Sequence, residues 1–316
     1  MKIDFSIIVP VYNRPQEIEE LLYSFTKLKY HGNYELIIVE DGSIEACKHV
    51  VERYQQDLPL NYFVKENTGA GDTRNFGMQK AKGNYFVILD SDVLVPHYYL
   101  SNVHKALEEN YTDGFGGADS AHISFSILQK AINYSMTSLF TTGGIRGKKK
   151  SLGKFQPRSF NMGISRKAFE VTQGYSKLKF GEDIDLSFRM WEAGFKTQFI
   201  SNAYVYHKRR TSIKSFYRQT FNFGTARPNL NRRYPDSAKL TYWFPSAFIL
   251  GLDVAIISAI FGFWQLLLPF TIYFSLICID ALIRSKSLLV ALTTIVTTYT
   301  QFLGYGLGFL KSQWRL

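Results

Sequence analysis

Leu240 to Ile283 is a run of 44 residues with only two charges, Asp253 and Asp280, and Ser287 to Leu310 carries none. No ordinary water-facing surface tolerates such a stretch. A bilayer core accepts it as helix, because about 20 apolar residues cross the hydrocarbon and a helix satisfies its own backbone polar groups. The first run is long enough for two helices turning near Gly262 to Gln265, and the second for one. Three spans are therefore expected, with a helix lying in the interfacial plane as the alternative for one segment.

Charge is distributed to match. From Met1 to His207 there are 24 Lys and Arg against 23 Asp and Glu, whereas Lys208 to Lys239 holds nine basic residues and one acid, Asp236. The net charge of +11 is thus a local belt directly before the apolar run. Anionic headgroups stabilise each nearby Lys or Arg by about 1 kcal/mol, which suits a cytoplasmic juxtamembrane segment contacting membrane lipids. Nucleic acid is the competing partner, but the belt abuts apolar helices and carries no recognised nucleic-acid module. If the N-terminal region is inside, two spans return Arg284 and Lys286 to the cytoplasm, and a third leaves Lys311 and Arg315 outside, against the positive-inside tendency. The opening MKIDFSIIVPVYNR is too polar, and too soon interrupted by Pro10, for a signal peptide, so a cytoplasmic N-terminal domain is expected. Cys47 and Cys278 suggest neither a disulfide frame nor a zinc site, in keeping with a reducing compartment.

Before residue 120, short β-branched runs alternate with amphipathic stretches, the pattern of an α/β sheet. FSIIVPVY, YELIIVED, LNYFVKEN and NYFVILDSD read as strands; PQEIEELLYSFTKL, with Pro15 at its first turn, IEACKHVVERYQQ and AGDTRNFGMQKAK read as helices. The apolar strands are continuous, as buried parallel strands are, and ligand chemistry then belongs at their carboxyl ends. HISFSILQKAINYSMTSLF suggests an amphipathic helix. The Gly- and Lys-rich stretch 143–158 reads as a loop, either a solvated charge run or a flap over a phosphate-bearing ligand. GEDIDLSFRMWEAGF is expected to be a helix, and KTQFISNAYVYH paired strands or a strand and turn.

Polar clusters fall at the expected strand ends. Asp41 in IIVEDGS either starts a turn or accepts hydrogen bonds from a nucleotide. Asp90 and Asp92 follow the most apolar strand; residues two apart share a side, so both can face one ligand, and a hard cation bound to a diphosphate needs few protein carboxylates. Glu182 and Asp183 open a helix, where capping and the dipole favour an acid, yet Asp185 makes three acids in that stretch. A carboxylate there could take the proton of an attacking hydroxyl. His207, ending AYVYH, is either structural or a metal ligand.

The order of VPVYNR at 9–14, EDGS at 40–43, NTGAGDTRNFG at 67–77, DSD at 90–92, NMGISRKAF at 161–169, GEDIDLSFR at 181–189 and the later His207 resembles the family-2 glycosyltransferases of GT-A fold, over roughly residues 3 to 225. The resemblance implies an inverting transferase using a UDP-, GDP- or dTDP-sugar with divalent Mn or Mg. By that likeness Asp41 contacts the base, Arg74 lies near the nucleotide, Asp90 holds the ribose, and Asp92 with His207 binds the metal. Asp183 becomes the catalytic base, and Pro10, Tyr12 and Glu182 join the nucleotide-sugar site. The implied domains are a GT-A catalytic domain at 1–207, a basic juxtamembrane segment at 208–239 and a membrane region at 240–316.

Two positions depart from the pattern: Asp72 stands where a small residue is common, and Val93 follows Asp92 where another acid is frequent. The Q-x-x-R-W motif of processive polysaccharide synthases is absent, although SFYRQTFNFG at 215–224 occupies a comparable place. Single transfer is preferred to polymerisation; a processive synthase and a non-catalytic nucleotide-sugar-binding protein are the alternatives. A dinucleotide-binding dehydrogenase would need G-x-G-x-x-G after the first strand, which VPVYNRP does not supply. Spans and belt together suggest a polyprenyl-linked acceptor for surface glycan assembly, the enzyme being a multi-pass protein of the cell membrane.

Overall fold

The computed structural model describes residues 3–122, 124–143 and 155–314. Most of the basic loop expected at 143–158 therefore lies outside the described residues. The chain divides into two compact units, Met1–His122 with Lys148–His207, and Ile123–Gly147 with Lys208–Leu316. In chain order, the first unit opens with β1 (Phe5–Val11), α1 (Pro15–Thr26), β2 (Tyr34–Asp41), α2 (Lys48–Tyr54), β3 (Leu60–Lys65) and α3 (Ala70–Lys80). It continues through β4 (Tyr85–Leu89), β5 (Val93–Leu94), α4 (Tyr99–Glu109) and β6 (Gly114–Ser120). The chain then gives α5 (Ile127–Thr137) and α6 (Leu139–Thr142) to the second unit and returns with β7 (Asn161–Ser165), α7 (Arg166–Thr172), α8 (Glu182–Glu192) and β8 (Thr197–His207). It closes in the second unit with α9 (Ile213–Arg233), α10 (Phe244–Ile260), α11 (Leu268–Ser285) and α12 (Leu288–Trp314).

The first unit is built on an eight-stranded sheet of order β3-β2-β1-β4-β7-β6-β8-β5. Local chemistry accounts for its helices. In α1, Pro15 sits in the first turn and Ile18, Leu21, Leu22 and Phe25 recur at helical spacing to bury one face against β1. On the other face of β1, Gly77 of α3 lies so close that a Cβ would stand 2.5 Å from Ile8 Cγ2.

The four strands expected to be parallel are so: β3, β2, β1 and β4 form a parallel array, and β6 and β8 pair parallel as well, while β7 runs antiparallel to both β4 and β6, and β5 antiparallel to β8. NMGIS is buried on both faces and mixes polar with apolar residues, so no alternation marks its direction. KTQFISNAYVYH is a single strand, pairing along β6 with a register shift between Gly117 and Asp119. β6 itself, GFGGADS, escapes a reading based on β-branched residues. Its glycines permit close approach: a Cβ on Gly117 would lie 1.9 Å from the Ala203 carbonyl oxygen. That spot is clamped by Asn161, whose Nδ2 donates to Ala203 O at 2.7 Å while its Oδ1 accepts from Tyr99 Oη at 2.6 Å.

In the second unit, α9 lies on α12 through small residues. Cβ atoms on Gly304 and Gly308 would come within 2.9 Å of Tyr217 O and 2.2 Å of Phe221 O, and one on Gly224 within 2.1 Å of Tyr305 O. Such backbone proximity is how helices associate without large apolar side chains between them. Ser135 of α5 bonds Thr297 and Thr298 of α12 at 2.7 and 3.1 Å. Three helical segments, Leu240–Ile260, Trp264–Ser285 and Leu288–Trp314, are long and apolar enough to cross a membrane.

A Gly117→Ala substitution should destabilise the fold by about 1–3 kcal/mol, the range for overpacking a closed interior, because the atom it meets is a carbonyl that cannot rotate away. The midpoint of chemical denaturation checks this, and an unshifted midpoint would refute the close packing of β6 on β8.

Candidate active site

The carboxyl ends of β1, β2 and β4 carry turns rather than further strand, so side chains there are free to gather. Asn13 takes a positive φ of 52°, and its Oδ1 accepts from the backbone N–H groups of Ile44 and Glu45 at 2.8 and 3.0 Å, tying the turn after β1 to the turn after β2. The next residue, Arg14, donates from Nη1 to Asp92 Oδ2 at 2.6 Å. Pro10 lies within β1 opposite Val39, and Tyr12 is half exposed just beyond it.

Asp90, Asp92 and His207 present ligand atoms that all lie within 4.8 Å of one another. β5 brings this about, since Val93 pairs with His207 directly after the D-S-D turn. The histidine ring stacks on Phe160 with centroids 4.8 Å apart, and its Nε2 stands 3.3 Å from Asp92 Oδ1. On its other side Nδ1 is 4.0 Å from the buried Asp119. Burial opposes charge on Asp92, but His207 and Arg14 overcome it and hold its carboxyl well below the usual range. His207 Nδ1 is buried with no hydrogen-bond partner among the described residues, and the buried Asp92 Oδ1 faces the His207 ring. Two carboxylates and an imidazole with spare lone pairs fit a hard or borderline divalent cation such as Mg²⁺ or Mn²⁺.

Beside this cluster, Arg74 of α3 is buried and forked between two acids. Its Nη2 donates to Asp90 Oδ1 at 2.8 Å and its Nη1 to Glu182 Oε1 at 3.1 Å, while the guanidinium lies 5.3 Å from the ring centre of Tyr175. Burial works against its charge, yet Asp90 and its other neighbours raise its pKa above the ordinary value. Glu182 begins α8 after Gly181 at φ 81°, where the helix dipole favours an acid. Burial first, and the adjacent Asp183 second, push the Glu182 carboxyl up to about 7. Asp183 accepts from Ile184 N at 2.8 Å through Oδ1 and from Ser159 N at 3.4 Å through Oδ2, with Arg158 Nη1 3.8 Å away.

Asp41 is engaged differently. Its carboxylate is buried in its own loop region, bonded by Lys65 Nζ at 2.9 Å and by the N–H groups of Thr68 and Gly69 at 3.0 Å each. Burial disfavours its charge, but these bonds lower its pKa. Asp72 adds an ion pair with Lys65 at 3.3 Å, and Val93 is packed in the core instead of facing the ligands.

Residues 6–171, just over half of the chain, match the family described as glycosyl transferase family 2. The chain belongs to that family. It is 38% identical over 109 residues to an uncharacterized glycosyltransferase of Rickettsia bellii, a match covering 33% of this chain and 15% of that protein. It is 31% identical over 112 residues to the poly(ribitol-phosphate) β-N-acetylglucosaminyltransferase TarS of Staphylococcus aureus, covering 34% and 20%. Both matches thus span under a quarter of the relative's length. Among solved structures, a mannosyltransferase from Pyrobaculum calidifontis in complex with GDP-Man and Mn²⁺ superposes with a TM-score of 0.64 at 16% identity, covering all of this chain and 88% of that one. TarS residues 1–349 with UDP-GlcNAc superposes at 0.52 and 16% identity, covering 98% and 92%. At such identity these likenesses speak for the fold, the GT-A type.

In this family 2 glycosyltransferase, four site features were not legible in sequence: Arg14 on Asp92, the Arg74–Glu182 pair across 108 positions, Phe160 under His207, and Asp119 beside it. Each is a contact between distant segments with no local spacing to announce it.

Because Glu182 titrates above its ordinary value of 4.5, the stability tied to its protonated form is full below that pH and is lost as pH rises through about 7. Glu182→Gln keeps a neutral partner on Arg74 and should flatten the fall in melting temperature between about pH 5 and 8. A variant with the wild-type slope would place that titration elsewhere.

Proposed function

We propose that the chain is an inverting transferase that moves a sugar from a nucleoside-diphosphate donor to a membrane-associated, lipid-linked acceptor. The observation that carries this reading is the convergence of Asp90, Asp92 and His207 within 4.8 Å beside an arginine that links Asp90 to the acidic start of α8. One carboxylate group receives the donor and a second, fixed by the same arginine, adjoins the candidate base.

Asp92 and His207 would hold a divalent cation, which supplies charge neutralisation for the departing nucleoside diphosphate. Asp90, oriented by Arg74, accepts hydrogen bonds from the ribose, while Asp41, Pro10 and Tyr12 line the nucleotide end. Arg74 holds Glu182 against the start of α8 and so fixes the neighbouring Asp183 on its first turn. Asp183 takes the proton of the acceptor hydroxyl as that oxygen bonds to the anomeric carbon from the face opposite the diphosphate. The bond to the diphosphate oxygen breaks as the new one forms, and the configuration inverts. The GDP-Man and UDP-GlcNAc bound by the two structural neighbours support a nucleotide-sugar donor without selecting the base.

Packing in the second unit supports two crossings and one in-plane helix. Phe248 meets Phe274 with ring centres 5.8 Å apart and Gly251 faces Phe270, so α10 and α11 form an antiparallel hairpin. Near one end of α12, Ala291 clusters with Ile277 and Ala281; near the other, Phe309 packs on Trp243 at 4.9 Å. Both contacts are at the base of the hairpin, yet the two residues stand about 27 Å apart along the helix at 1.5 Å per residue. α12 therefore crosses that base instead of running beside the hairpin. α9 lies against it with Lys214, Arg218, Arg232 and Arg233 exposed, a face suited to anionic headgroups on the cytoplasmic side.

Asp183→Asn should keep donor-induced thermal stabilisation and lower transfer by about 100- to 10,000-fold, the usual contribution of a general base. Transfer at the native rate would assign the base to another group. Full-length protein should stay with membranes through a high-salt wash and come off only with detergent; release by salt alone would refute the inserted hairpin.

A further inference from the structure

A cleft of about 760 Å³ opens in the first unit between α1, the segment after β5 and the end of β8. We infer that this cleft is a carbohydrate-binding site which holds sugar residues of a glycan apart from the sugar being transferred, the ligand class being a neutral oligosaccharide.

Its lining is largely aromatic: Tyr23, Tyr54, Tyr98, Tyr204 and Tyr206 contribute phenol rings, and His97 and His122 imidazoles. Tyr23 and Tyr98 are 57% and 55% exposed, so each keeps ring surface open to a ligand beside the lysine, Lys27 or Lys29, that lies over it. Tyr206 is braced by His122 at 4.9 Å and by Tyr204 at 5.5 Å between ring centres. Aromatic walls with a few polar groups suit ligands that have both apolar faces and hydroxyls, as pyranose rings do.

Charge narrows the class. The cleft's acids are Glu19 and Glu20 and its one lysine is Lys27, which lies 5.1 Å over the Tyr23 ring. Glu19 is already paired with Arg53 at 3.0 Å. Among the described residues no arginine lines the cleft, and the adjacent Arg53 is engaged by Glu19, whereas a phosphate-bearing polymer would call for free forked guanidinium donors. A polyhydroxylated, uncharged chain needs only hydrogen-bonding groups, which the tyrosine hydroxyls and the His97 ring supply.

Position links the cleft to the transfer site. β5 pairs with β8 so that Val93 opposes His207 and Leu94 opposes Tyr206. Alternation along β8 puts Tyr204 and Tyr206 on one side and His207 on the other. The two-stranded ladder is thus a shared wall, with Leu94 and Tyr206 lining the cleft and Asp92 and His207 in the metal-fitting cluster. A glycan held in the cleft is kept about one strand from the reacting centre, which raises the effective concentration of its acceptor end. This use of the cleft rests on the transferase reading above, while the binding itself does not.

The test is titration of full-length protein in lipid nanodiscs, free of sugar-headed detergent, with chitotetraose, cellotetraose, mannotetraose and a ribitol-phosphate tetramer. At least one neutral tetrasaccharide should bind, and Tyr23→Ala and Tyr98→Ala should each weaken it about tenfold, the loss expected for one aromatic face. Donor hydrolysis should be unchanged in both variants, since neither residue touches the transfer cluster, and Asp183→Asn should bind the glycan like wild type. Binding without any donor hydrolysis in wild type would uphold the cleft and defeat the transferase reading. The cleft proposal is overturned if no neutral tetrasaccharide binds, if only the ribitol-phosphate oligomer does, if both tyrosine variants bind normally, or if they lose donor hydrolysis in parallel.

Discussion

Arg74 is the interaction on which the rest of the candidate site depends. Asp90 stands at the end of β4, Glu182 at the start of α8, and the chain between them makes an excursion through the second unit. A single buried guanidinium joins them, and Tyr175 lies beside it. Without that cation two carboxylates would face each other in a poorly solvated space, and one would have to take up a proton. A lysine could not replace it, because a point charge lacks the fork that reaches both acids. The buried pair is better understood as fixing position than as adding stability, since removing two charges from water offsets much of their attraction.

The sheet and the site differ in how far the sequence revealed them. β1 to β4 were readable because each is an apolar run bounded by turn residues, and the helices between them repeat buried positions at helical spacing. Asp90, Asp92 and His207 were recognisable from motif order, and the structure brings them together. The second half of the sheet was obscure for physical reasons. β6 is rich in glycine because side chains and, at Gly117, the backbone of β8 crowd it, and β7 is buried on both faces, so neither carries a periodic signal of direction. Asp41 was readable as a polar residue at a strand end, but not the loop amides and Lys65 that engage it.

The apolar helices after residue 240 make the same point from the other side. Hydropathy measures length and apolarity, and by both α12 qualifies with α10 and α11. It contains no record of what a helix lies against. The glycines and threonines of α12 are the clue, since they line the surfaces buried against α9, α10 and α5. Close backbone approach and hydroxyl pairing suit a helix held on several sides by protein, whereas α11, with most of its surface open, keeps the large apolar side chains that lipid accepts.

Arg74 Nε and His207 Nδ1 are both buried without a hydrogen-bond partner among the described residues, and both side chains adjoin the Asp90 and Asp92 carboxylates. An unmatched buried donor or acceptor costs about 1–3 kcal/mol; other such atoms lie elsewhere, as on Ser176 and Gln301, so it is their place beside the metal-fitting carboxylates that distinguishes these two. The surrounding framework bears that cost with strong local order: Asn13 ties two turns together, Asn161 clamps three strands, and Phe160 fixes the imidazole plane. Stored, undischarged polarity held in a rigid frame is what electrostatic preorganisation requires, because groups already oriented need not reorganise when charge develops on a ligand.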